Sequence, residues 1–214
     1  SGECSLFDAH ALFQFGVYLR DLDDPIRAYK EIKVDNEHKR TLKTILLWGS
    51  LERMVAYREY KDVLGFLPDP TTALAARIEA IKAREKGAEI LVSDDLPSPS
   101  DLKEEEEEEA PKVQPEPPLP GIHQTRARLI IDAANMYECL LALEKPKEAK
   151  ALMEMVTDFE STGESYAMFI EHANRLRLLD LAQSLADRGC ALVPEDQIPI
   201  IQSMLLRGRH HLPK

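Results

Sequence analysis

Apolar residues recur along this chain at intervals of three and four, and no stretch alternates convincingly with period two. Tyr166, Phe169, Ile170, Ala173 and Leu176 form one stripe, and Leu178, Leu181, Ala182, Leu185, Gly189 and Leu192 form the next after a short break. The two predict a helical hairpin. A second hairpin precedes it: Leu129, Ala133, Met136, Tyr137 and Leu140 make one face, and Ala149, Leu152, Met153, Val156 and Phe159 make its returning partner. Glu144-Lys145-Pro146 supplies the turn, because proline is tolerated in the first turn of a helix and not in its interior.

The first half repeats the arrangement. Ala9, Leu12, Phe13 and Gly16 precede Asp23-Asp24-Pro25, where an Asp N-cap before a proline signals a helix start. Leu47, Leu51, Met54 and Val55 form another face, answered by Tyr60, Val63, Leu64 and Leu67. A last amphipathic helix is expected from about Thr72 to Leu91. The pattern predicts an all-α protein without a sheet.

Charge changes this picture in one place. The 214 residues carry 38 acids and 27 bases, a net charge of −11. Residues 93–121 alone hold ten acids and two bases, including the unbroken run Glu104–Glu109, so both flanks are almost neutral. The same stretch holds seven of the 14 prolines and no aromatic residue. It cannot bury enough apolar surface to offset the entropy of ordering, and a disordered acidic, Pro-rich linker is expected. The division is then 1–92 (helical repeats plus a closing helix), 93–121 (linker) and 122–214 (helical repeats with a basic tail). The halves are expected to pack together, with the linker as an insertion.

The small residues that open each second helix reveal a period. Ala28, Val63, Ala149 and Ala182 are separated by 35, 86 and 33 residues, the long step crossing the linker. Gly16 lies twelve before Ala28, and Pro194 twelve after Ala182. In these features residues 6–68 and 125–195 resemble the tetratricopeptide repeat superfamily. Val63 is bulkier than that family's usual alanine, and Leu51, Tyr137 and Ile170 stand where a Gly or Ala would be expected. The resemblance implies antiparallel hairpins stacked as a right-handed superhelix or solenoid, with a concave groove lined by the first helix of each unit. Such grooves bind peptides or partner helices.

On that alignment the partner-binding positions are Phe13, Trp48, Glu52, Glu138, Glu171, Asn174 and Arg175. Trp48 is the only tryptophan, and aromatic anchors are enriched at binding hot spots; packing between helices is its other reading. Glu52, Glu138 and Glu171 recur at equivalent positions, which points to a basic partner, although a solvated helix face accounts for the same pattern. The Lys and Asn clusters with which chaperone-tail binders of the family clamp a carboxylate are not present at these positions.

Other classes find less support. There is no glycine-rich phosphate loop, no HExxH and no GxSxG, and Glu171 and His172, one apart on a helix, do not face each other. Cys4, Cys139 and Cys190 form neither a disulfide framework nor a zinc pattern. No catalytic residue, metal or cofactor is therefore expected. Nucleic-acid binding requires a concentrated basic surface. The only cluster is Arg207, Arg209, His210, His211 and Lys214, read as a frayed, solvated tail. Apolar runs such as Leu140–Leu143 are far short of the ~20 residues that span a bilayer, so no membrane insertion is expected. A cytoplasmic location follows as an expectation, with the start at Ser1-Gly2 leaving room for a processed leader. The resulting expectation is a non-enzymatic interaction scaffold. Its alternative is an enzyme or cofactor-binding helical domain with a pocket between the two halves.

Overall fold

The computed structural model describes residues 37–92 and 125–210, together with Arg27, Tyr29, Ile32 and Lys33. Phe13, the first hairpin and the acidic linker lie outside the described residues. Among those described there are eight α-helices and no strand: α1 (Glu37–Ala56), α2 (Tyr60–Phe66), α3 (Pro70–Val92), α4 (Arg126–Ala142), α5 (Pro146–Phe159), α6 (Gly163–Arg175), α7 (Leu179–Leu192) and α8 (Ile198–His210). A 3-10 turn, Glu195–Gln197, leads into α8.

Three hairpin turns are built alike. Arg58, Glu144 and Arg177 adopt left-handed backbone angles, with φ of 64°, 58° and 60°. In each, two amide N–H groups reach back to carbonyls of the preceding helix: Glu59 to Met54 and Arg58 to Val55, Lys145 to Leu140 and Glu144 to Leu141, Leu178 to Ala173 and Arg177 to Asn174. This is the Schellman closure, which satisfies orphan carbonyls at a helix end and favours glycine at the left-handed position. None of the three is glycine. Each left-handed residue lies five positions before Val63, Ala149 or Ala182.

Other boundaries have local causes. Asp69 accepts a hydrogen bond from the Thr72 N–H at 2.9 Å and precedes Pro70, so α3 starts two residues before the expected Thr72. Thr125 caps α4, and Thr162 and Ser165 form a reciprocal capping box at α6. Pro146 is the first residue of α5, as the turn at Glu144-Lys145-Pro146 requires.

The core runs through α4. Residues 129–130 and 132–140 are all buried, because α1, α2, α3, α5 and α6 pack around this helix. Helices from both sides of residues 93–124 thus meet on it. The periodic stripe predicted one buried face; the structure buries the helix all round, enclosing Asp132, Asn135 and Glu138 with it.

The basic cluster begins on a packed helix, and His211 and Lys214 lie outside the described residues. Helix α8 packs on α6 and α7, Ile201 is wholly buried, and Gly189 lets Tyr166 and Ile201 approach so closely that a Cβ would meet both at 2.8 Å. Arg207 is therefore part of a packed helix, held there by the apolar stripe of residues 198–205 that the charge reading passed over. No described helix is long and apolar enough to cross a membrane.

Candidate functional site

Three features of the packed helices carry polar chemistry: two buried networks on α4 and one open cleft. The first network centres on Glu138, 1 % exposed. The Tyr60 hydroxyl donates to its Oε1 at 2.8 Å, and His172 Nδ1 lies 2.6 Å from Oε2. Arg175 stands at 3.4 Å from the same oxygen. Burial pushes the Glu138 carboxyl up, but the bonds from His172 and Tyr60 outweigh it and hold the group below the ordinary glutamate range. Tyr60 is pushed up to about 12, by burial first and then by its bond to the carboxylate. Cys139 also joins this junction, its Sγ 3.2 Å from the Tyr60 carbonyl, and burial pushes its thiol up to about 12. Such a thiol is inert.

The second network ties α1, α3 and α4. Asp132 accepts from Arg77 at 2.8 Å and pairs with Arg128 at 2.9 Å, while Arg128 reaches Glu52 at 2.6 Å. The Arg77 guanidinium lies over the Trp48 ring, 4.6 Å from its centre. Burial pushes the Asp132 carboxyl up against the opposing pull of both arginines. These groups hold helices together in the interior.

The cleft is open and about 480 Å³ in volume. Arg58 from the α1–α2 turn, Arg175 at the end of α6, Arg177 from the α6–α7 turn and Arg207 on α8 surround it. Glu171, Asn174, Leu179, Met204 and Gly208 complete the lining. Asn174 Nδ2 donates to the Met204 carbonyl at 3.3 Å, and Gly208 has no side chain because its Cβ would collide with the Asn174 amide. Among the described residues, Arg58, Arg177 and Arg207 have no ion pair, in contrast to Arg77, Arg126, Arg128 and Arg188. A second opening, about 650 Å³, lies between α3 and α5. Ala75, Ala76, Ile78, Met155 and Phe159 make its walls apolar.

The expected partner-binding residues therefore separate. Glu171, Asn174 and Arg175 come together at the cleft. Trp48 and Glu138, 2 % and 1 % exposed, turn inward and line no open surface, because α3 covers the one and α2 and α6 cover the other. Glu52 is half-buried and bound to Arg128. The recurrent glutamates thus do not form an acidic groove: two are used internally, and the third sits among arginines. The residues that sequence reasoning missed are Arg58 and Arg177. No sequence signal marked them: both occupy the left-handed turn position of their hairpins, which favours glycine, and neither is glycine.

Glu171 and His172 diverge as expected of helix neighbours, one toward the cleft and one toward Glu138. Among the described residues, no group of three His, Cys, Asp or Glu side chains is placed to hold a metal ion. Comparison with known proteins returns no matching family model, no similar curated protein and no similar solved structure.

Proposed function

We propose that this chain is a non-enzymatic interaction scaffold of tetratricopeptide-like hairpins, which captures a peptide or partner helix. The observation that carries the reading is the cleft at the hairpin edge. There Glu171, Asn174 and Arg175 converge with two turn arginines on an open, partly apolar surface. A scaffold needs stiff elements that present side chains without moving, and the buried networks on α4 supply that stiffness. The matched Schellman turns support the repeat resemblance, since stacking of like hairpins brings like turns to one edge.

The enzyme reading calls for a deep pocket between the halves with several converging polar groups. Two openings lie between the halves: the arginine cleft, which has converging polar groups, is open rather than deep, and the opening between α3 and α5 has walls of alanine, isoleucine, methionine and phenylalanine. At its rim Arg126 is already bound to Glu85 and Glu160, and Lys82 to Glu79. This favours the scaffold.

The test is photo-crosslinking in native cell extract with a light-activated residue in place of Glu171, compared with one in place of the exposed Lys147 on α5. A discrete protein adduct from position 171 and not from 147 is expected. Equal labelling from both, or none from either, would count against capture at the cleft.

A further inference from the structure

We propose that the arginine cleft binds an acidic peptide segment, recognising several side-chain carboxylates rather than a chain terminus; the proposal rests on the scaffold reading and names its ligand class. Four guanidinium groups reach the cleft from three places in the fold: Arg58, the pair Arg175 and Arg177, and Arg207. They are spread around a volume that suits a short segment, within the ~300–1,000 Å³ of typical binding pockets. Guanidinium groups match carboxylates in a bidentate fork, and three of these four have no ion pair among the described residues. The apolar surface of Leu179 and Met204 beside them suits the methylenes of glutamate and the flanking side chains of a peptide.

That arrangement distinguishes the ligand. A lone phosphate would use one focus of donors, not a spread array with apolar surface inside it. A nucleic acid would need an extended basic track, whereas the chain's net charge is −11 and the arginines are confined to one cleft. Glu171 is the single acid in the lining and repels a carboxylate ligand, so it sets a ceiling on affinity. The chain carries ligand chemistry of its own in Glu104–Glu109, which the experiment must separate from a partner.

Two variants separate binding from folding. Arg58→Gly with Arg177→Gly removes two cations and at the same time places glycine where the backbone is left-handed, so the fold is held or strengthened. Glu171→Gln removes the opposing charge. The probe is a fluorescent peptide containing six consecutive glutamates, titrated against the full chain by anisotropy. Controls are the corresponding glutamine peptide, single-stranded DNA and inorganic phosphate.

The glutamate peptide is expected to bind, to weaken several-fold as salt is raised, to lose roughly tenfold or more in the double glycine variant, and to tighten several-fold in Glu171→Gln. Binding that appears only when Glu104–Glu109 are changed to glutamine would support the same chemistry, with the chain's own run as competitor. Unchanged affinity in a folded double glycine variant would overturn the proposal. So would tighter binding of DNA, displacement by phosphate alone, or no binding in either form of the chain. Failure here with crosslinking still confined to position 171 would remove the acidic class and leave the scaffold standing.

Discussion

Glu138 and Glu171 occupy the same position of successive hairpins, 33 residues apart, and the fold treats them oppositely. Glu138 is covered by Tyr60 from α2 and His172 from α6, so it becomes an interior anchor. Glu171 stands where the next element, α8, approaches but does not close over it, so it stays on the wall of a cleft. Periodicity therefore reports where a residue sits in its unit. Whether the residue stabilises or binds depends on what the neighbouring unit places above it.

The sharpest way to break this comparison is to truncate both. Glu138→Ala should cost about 3–5 kcal/mol, since it leaves the half-buried Tyr60 hydroxyl and the buried His172 without their partner. Glu171→Ala should fall within about 0.5 kcal/mol of the parent chain. Denaturant unfolding measures both, and similar losses would erase the distinction.

Trp48→Ala probes the interior from the other network. Removing a ring packed under Arg77 should cost about 3–5 kcal/mol. A loss under about 1 kcal/mol would return Trp48 to the surface of the account.

Titration gives a smaller, signed effect. Glu138 is lowered in the folded state, so its contribution is fully present above the ordinary value of 4.5 and is lost as pH falls through the folded value. Tyr60 is raised, so its contribution is present below pH 10 and is lost as pH rises through about 12. Melting temperature against pH should accordingly fall at both ends, and Tyr60→Phe should flatten the alkaline limb. An unaltered alkaline limb would show that the phenol is not held by the carboxylate.

A further small effect is a gain. Glu144→Gly relieves a left-handed non-glycine residue in the turn that contributes nothing to the cleft, and should raise stability by about 0.5–1 kcal/mol. A loss would mean that the turn geometry at this hairpin is not as described.

Much of the helical layout was legible because apolar spacing, Pro146 and the 33-residue step each act locally. The burial of Asp132 and Glu138 was not, since these polar residues interrupt the apolar stripe and only their partners from α2, α3 and α6 make burial tolerable. Helix α8 was obscured by its own arginines, which drew attention from Ile201 and the close approach at Gly189. Of the candidate site, the three α6 residues were found from the repeat. Arg58 and Arg177 were not, because a turn residue contributes no periodic signal and reaches the cleft only once the hairpins stack.

The claim that the junction holds and the cleft binds is tested most directly by measuring Glu138→Ala and Arg207→Ala side by side, each by unfolding midpoint and by affinity for the glutamate peptide. The account predicts that Glu138→Ala moves the midpoint far more than Arg207→Ala does, and that Arg207→Ala weakens binding several-fold with its midpoint nearly unchanged. An Arg207→Ala chain that loses stability but keeps its affinity would contradict it.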